Sequence, residues 1–305
     1  MQESMYAYMK PGIVHFKAYP QVMEGRSMEY VETLEKVCED DFWTAIEVGP
    51  CGDTQQRDIA RKMLEVAHVT VCYATQPTIL GNKLNPHDFD PIQRKKVMRT
   101  LKKCVGEACE LSAGFFRFMS GKDPGDERRD EAMDIFSDVL HEICDYVAEQ
   151  GDMKVTLKVF DRDVDKEALI GTFADTRKVA KPIADAHSNF GVLADLSHFA
   201  LLREKPEEAI PLVDDMFMHF HIGNCVVEKG HFLYGDLQPR FGVPGGNVDT
   251  PEVRDYFRLL LDRGLLNKEN PPVLSTEVRP LLAEETSGLV IANAKRVIRE
   301  AWAQA

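Results

Sequence analysis

Residues 216–222 read MFMHFHI and run into Gly223 and Asn224. The run is short, apolar and aromatic, which is the signature of a strand. Side chains alternate along a strand with a period of two, so Phe217, His219 and His221 share one face. Two imidazoles therefore point inward near the end of a buried strand. The strand candidate before it, GVLADL at 191–196, finishes on Asp195, with His198 just beyond. The one after it, PVLSTE at 272–277, finishes on Glu277 and is followed by Arg279. Upstream, KVTLKVF at 154–160 runs into a charged turn, with Lys158 as its last inward residue.

Four more strand candidates lie toward the start of the chain: GIVHFKA at 12–18, TAIEVG at 44–49, TVCYAT at 70–75 and GFFRFM at 114–119. Amphipathic segments separate all of them. After Asp249, a cap at Asp249 or Thr250 is followed by Pro251 in the first turn. Val253, Tyr256, Phe257, Leu260 and Leu261 then fall at helical spacing before Gly264. A second predicted helix, 126–150, lines up Phe136, Val139, Leu140, Ile143 and Val147 and stops at Gly151. Strands alternating with helices from end to end, joined by right-handed crossovers, fit an α/β fold of the closed (β/α)8 TIM-barrel type better than an open doubly wound sheet. No G-x-G-x-x-G follows the first strand and no P-loop occurs. With no linker rich in Gly, Pro or Ser, residues 1–305 read as a single barrel domain. Such barrels carry their chemistry at the carboxyl ends of the strands.

The chain's 305 residues, 44% hydrophobic and 29% charged, suffice for a large core. A net charge of −13 opposes binding to nucleic acid or an anionic membrane, and leaves small molecules or other proteins as partners. The opening MQESMYAYMK lacks a basic segment before an apolar run, and no window approaches the roughly 20 apolar residues of a membrane span, so a cytoplasmic location is expected. The seven cysteines are scattered and form no C-x-x-C pair, which predicts neither a disulfide framework nor a zinc knuckle.

Asp195, His221 and Glu277 come from three successive strand ends, and their oxygen and nitrogen donors suit a divalent cation such as Mn²⁺. Each has an ordinary reading alone: a buried histidine satisfied in the core, an aspartate capping the next helix, a glutamate paired with Arg279. Their joint placement in this fold favours a functional cluster. The D-x-x-H of ADLSH, the H-x-H of HFHIGN and the segment STEVRP together resemble the xylose-isomerase-like superfamily of barrels, which includes sugar isomerases, keto-sugar 3-epimerases and an endonuclease family. In that superfamily strands five to eight give Glu, Asp, His and Glu to one metal. The resemblance implies Asp195, His221 and Glu277 as metal ligands. It breaks at the first position: where family members read LEPFDRD, this chain reads LKVFDRD. A protonated Lys158 cannot coordinate, and its charge opposes a nearby cation. Three outcomes stay open: a metal held by the other three residues and water, a partly neutral Lys158 acting as ligand or base, or a metal lost and its charge replaced by Lys158.

The segment 223–248, GNCVVEKGHFLYGDLQPRFGVPGGNV, has no helical period, and loops of such length are usually functional. It follows the strand carrying His221, so it can cover the barrel mouth, with His231, Tyr234, Asp236 and Arg240 as candidate hydroxyl contacts. Together with FDRDVDKEALIG and HIGNC, it resembles the catalytic α subunits of C-glycoside deglycosidases, which work with a small β-sandwich β subunit in a hetero-oligomer. That resemblance implies a lyase acting on an oxidised glycoside. The ketone of a 3-oxo-glycoside acidifies the neighbouring proton, a base removes it, a cation holds the enolate, and β-elimination breaks the C- or O-glycosidic bond. On this reading Asp195, His221 and Glu277 hold the metal, while His198, Arg240, His219 and Arg279 contact the sugar. His198, His15 or Glu47 is the base, and Lys158 holds the enolate if no metal is present. The alternatives are a keto-sugar isomerase or epimerase, whose usual site needs a Glu at both the fifth and eighth strand ends, and a barrel subunit without catalysis. The endonuclease branch needs a basic groove that this acidic chain lacks.

Overall fold

The computed structural model describes residues 3–25 and 28–305. Its strands are β1 Lys10–Val14, β2 Ala45–Val48, β3 Thr70–Ala74, β4 Phe115–Phe118, β5 Lys154–Lys158, β6 Phe190–Asp195, β7 Phe217–Gly223 and β8 Val273–Glu277. They pair in chain order and close into a barrel. Every pairing is parallel, and the seam between β1 and β8 runs from Lys10 opposite Val273 to Ile13 opposite Thr276. Parallel strands need crossovers, and helices supply them on the outside.

The helices follow their sequence signals. Helix Thr250–Asp262 starts in a capping box made by Asp249 and Glu252, which satisfies amide donors that no earlier turn can reach. Val253, Tyr256, Phe257 and Leu260 are buried along one face. Helix Arg129–Gln150 starts three residues later than the sequence suggests and buries Phe136, Val139, Leu140, Ile143 and Val147. Among the described residues, no helix is long and apolar enough to cross a membrane. All seven cysteines are free thiols.

Inside the barrel, the end nearest the strand starts is closed by Ala45, Cys72 and Val273 with Phe115 against them. Gly12 fits here because it has no side chain: a Cβ at that position would stand 2.8 Å from Ser275 Oγ and 3.1 Å from Ala45 Cβ. Toward the strand ends the interior becomes polar. Glu47, Arg117, Lys158, Asp195, His219, His221, Ser275 and Glu277 are all buried there.

One strand is shorter than its sequence suggests, with consequences for the site. The candidate 12–18 is extended only to Val14, and His15–Ala18 forms a helical turn. A helical turn rotates successive side chains by about 100° rather than 180°. His15, already of outward parity because Gly12 faces the interior, lies against helix Tyr30–Cys38, where its Nε2 is 2.9 Å from Thr33 Oγ1 and its ring packs on Tyr19 and Tyr30. Lys17 turns to the barrel mouth instead, with Nζ 3.1 Å from Glu277 Oε1.

The loop after β7 is ordered by its own contacts. The Asn224 side chain accepts from the amides of Cys225 and Val248 and donates to the Arg240 carbonyl, which ties both ends of the loop together. Val226, Leu233 and Val243 form a small apolar cluster with Leu237, Leu281 and Leu282 behind them. The loop approaches β7 so closely that a Cβ on Gly223 would meet Gln238 Oε1 at 2.1 Å and the Glu277 carbonyl at 3.0 Å.

Candidate active site

Asp195, His221 and Glu277 do converge, and so do Glu47, His219 and His221. Within each trio the potential ligand atoms lie within 4.8 Å of one another. His221 belongs to both. The expected trio is therefore a real cluster, and it has a neighbour that shares one imidazole.

The space within the first trio contains the head of Lys158. Its Nζ donates to Glu277 Oε2 at 2.6 Å and to Asp195 Oδ2 at 2.8 Å, and lies 3.3 Å from His221 Nδ1. Asp195 serves two elements at once. Its Oδ1 caps helix Leu196–Leu202 by accepting from the amide and hydroxyl of Ser197, which leaves Oδ2 for the ammonium. Burial works against the charge on Lys158, but Asp195 and Glu277 outweigh it and hold its pKa above the ordinary lysine value. The lysine is thus an ammonium at neutral pH, neither a ligand nor a base.

The second trio contains Arg117, from the end of β4. Its Nη1 lies 2.6 Å from Glu47 Oε2 and 3.1 Å from His221 Nε2, and its Nε donates to Gln76 Oε1 at 2.9 Å. Sequence reasoning passed over this residue. The signal was an arginine standing inside an otherwise aromatic strand, FFRF, with Phe116 and Phe118 on either side.

His221 is the hinge of the cluster. Its Nδ1 is 2.9 Å from Glu277 Oε2, and its Nε2 makes a very close contact with Glu47 Oε1. Two carboxylates, one at each ring nitrogen, call for a donor at both, and the ring is an imidazolium. Burial opposes that charge, as does the Lys158 ammonium, yet Glu47, with further help from Asp195 and Glu277, raises the pKa of His221 to about 9. Burial likewise opposes ionisation of Glu277 and Asp195, and Lys158 is the chief group that keeps both carboxyls below their usual range. For Glu47, Arg117 has that role ahead of the two histidines.

His219 sits one inward position deeper on β7, fully buried, with Nε2 3.1 Å from both Glu47 Oε1 and Ser275 Oγ. It supports Glu47 from below and is placed away from any sugar at the mouth. His198 is different. It opens the helix after β6, and neither ring nitrogen has a hydrogen-bond partner among the described residues. Nε2 is 3.7 Å from Asp236 Oδ1 and 4.0 Å from Asp195 Oδ2. Burial holds its pKa below the ordinary value despite those two carboxylates, so it is a neutral imidazole at pH 7. The Phe160 ring packs against both groups, 4.9 Å from Lys158 Nζ and 4.9 Å from the His198 ring.

Of the loop residues, Asp236 reaches the cluster and is anchored by Lys166 at 2.8 Å. Arg240 pairs instead with Glu285 at 3.0 Å, and its guanidinium donates to the Phe241 carbonyl. The backbone of Arg279 donates to the Gln238 carbonyl at 2.7 Å, while its buried Nε has no hydrogen-bond partner among the described residues. His15 is not at the site at all. It is a neutral core residue whose pKa burial pushes down to about 3. A cavity of 660 Å³ is lined by Ile79, Leu84, Met119, Ser120, Lys166 and their neighbours, and of these Lys166 pairs with Asp236.

A divalent ion does not fit these residues as they are arranged. Metal–oxygen bonds need about 2.0–2.6 Å, and an ion bound to Asp195 Oδ2 and Glu277 Oε2 would share the place that Lys158 Nζ fills. Glu47 Oε2, in the other trio, is taken by Arg117.

The chain belongs to the xylose isomerase-like TIM barrel family, whose sequence model matches residues 38–267. A search of curated protein sequences returns no match. Solved structures with the same fold include the D-psicose 3-epimerase of Clostridium cellulolyticum H10 with D-tagatose, at 16% identity and a TM-score of 0.66 over 97% of this chain and 96% of that one. The apo 3-keto-D-glucoside 4-epimerase of E. coli shares 14% identity at a TM-score of 0.66, over 95% of this chain and 98% of that one. An IolI protein with a bound zinc atom gives a TM-score of 0.70 at 16% identity, covering 96% and 98% of the two chains. At these identities the likeness is one of fold.

Proposed function

We propose that the protein moves a proton at the carbon beside the carbonyl of a keto-sugar and returns it to give an isomer or epimer. The observation that carries this reading is the pairing of a neutral His198, without a hydrogen-bond partner among the described residues, with a buried ammonium, Lys158, both beside Asp195 Oδ2. Removing a proton next to a ketone needs a base poised near neutral pH and a positive group to hold the developing enolate oxygen. With the His221 ring donating at both nitrogens, Lys158 has two carboxylate acceptors for its three ammonium protons, which leaves one for a substrate oxygen. The names of the epimerases that share the fold support a keto-sugar as substrate.

A second reading is favoured by Lys158 itself. An ammonium at the end of β5 cannot act as a second base on the opposite face of the sugar, as a two-base epimerisation needs. Elimination from a 3-oxo-glycoside requires proton removal on one face only, and would release the aglycone. The small β-sandwich partner belongs to this reading. Both readings are tested by incubating the protein in D₂O with ketopentoses, ketohexoses and 3-oxo-glycosides and following the products by NMR. Deuterium at the carbon beside the carbonyl with a new epimer supports the first, and deuterium with free aglycone supports the second. No exchange on any of these substrates refutes both and leaves a barrel without catalysis.

A further inference from the structure

We propose that the site carries its own cations. Lys158 Nζ takes the place of a divalent ion among Asp195, His221 and Glu277, Arg117 does the same at Glu47 and His221, and the protein binds no metal at either position. This goes beyond the keto-sugar reading and holds whichever reaction the site performs.

Three observations converge on it. First, in each of the two groupings able to ligate a metal, a basic head already meets the donor atoms, at 2.6 and 2.8 Å for Lys158 and at 2.6 Å for Arg117. Second, both basic side chains are sealed from water, Lys158 and Arg117 each being 1% exposed. A lysine or arginine is rarely buried unless its charge is fully matched. Third, a further cation already adjoins the carboxylates: Lys17 Nζ lies 3.1 Å from Glu277 Oε1, so a divalent ion placed here would stand beside the positive heads of Lys158, Arg117 and Lys17. In a poorly polarisable interior such crowding is costly, because like charges a few ångströms apart repel by several kcal/mol even at an effective dielectric near 20. An ammonium also meets the electrostatic demand of an enolate: it supplies one positive charge and a hydrogen bond, where a metal would supply a Lewis acid.

The test needs no substrate, so it stands apart from the fate of the functional reading. The protein, purified without chelator, is dialysed against Mn²⁺, Zn²⁺ and Co²⁺ in turn, and bound metal is measured by elemental analysis beside melting curves with each ion and with EDTA. The expected result is no stoichiometric metal and no response of the melting temperature to ion or chelator. Lys158→Glu, which restores a carboxylate at the end of β5, should bind about one ion, and saturating Mn²⁺ should raise its melting temperature by several degrees. If Lys158→Glu does not fold, Lys158→Met removes the ammonium without adding charge and should show the same rise on a smaller scale. Near-stoichiometric metal in the native protein that His221→Ala loses would overturn the proposal. So would folded Lys158 variants that remain indifferent to every ion.

Discussion

Arg117→Met is the sharpest probe of how the polar interior is held together. Arg117 is 1% exposed, its Nη1 is 2.6 Å from Glu47 Oε2, and its Nε donates to Gln76. Methionine fills much of the same volume but removes the charge, which leaves Glu47 buried with the two histidines as partners. Truncating one side of a buried ion pair costs about 3–5 kcal/mol. His221 and His219 still face Glu47 Oε1, so the lower end, about 3 kcal/mol, is expected. In a chain of this size that corresponds to a fall in melting temperature of about 6–12 °C. Urea unfolding followed by tryptophan fluorescence gives the free energy directly. Glu47→Gln in the same background removes the stranded charge, and the double variant should be more stable than Arg117→Met alone. The reasoning fails if Arg117→Met lies within about 0.5 kcal/mol of the native protein, or if Glu47→Gln lowers stability equally in both backgrounds.

Other outcomes follow from the same geometry. His198→Gln should slow deuterium exchange on the substrate by about a hundred- to ten-thousand-fold while leaving the melting temperature close to native, and an unchanged exchange rate would remove His198 as the base. His15 has a folded pKa near 3 against 6.5 when exposed, so the neutral ring stabilises the fold above pH 6.5 and that contribution is lost as pH falls toward 3. Urea midpoints taken across that range should fall less steeply for His15→Gln than for the native chain, and equal slopes would mean that His15 does not titrate with unfolding. Gly12→Ala places a methyl group against Ser275 and Ala45, and a loss of about 1–3 kcal/mol in urea unfolding is expected; a neutral effect would show that the barrel end can relax.

By itself the sequence determined the alternation of strands and helices, because hydrophobic period and capping residues are local signals. Asp249, Pro251 and Gly264 mark one helix without reference to anything distant, and MFMHFHI can be read as a strand from seven residues. It also showed that Asp195, His221 and Glu277 stand at neighbouring strand ends, since the order of strands in this barrel is the order in the chain. The tertiary structure alone decided what fills the space between them. Whether Lys158 turns its ammonium into the trio or out of the mouth depends on three carboxyl and imidazole groups that are 37, 63 and 119 residues away. Arg117 was hidden for the same reason: its partner Glu47 lies on a strand two places round the barrel, and no local pattern links them. His15 failed as a site residue because Gly12 faces the barrel interior, so the alternation of side chains puts His15 on the outer side, and the chain leaves the extended form after Val14, four residues short of the candidate's end. Pairing between distant charges is set by closure of the barrel, whereas the period that builds each strand is set within it.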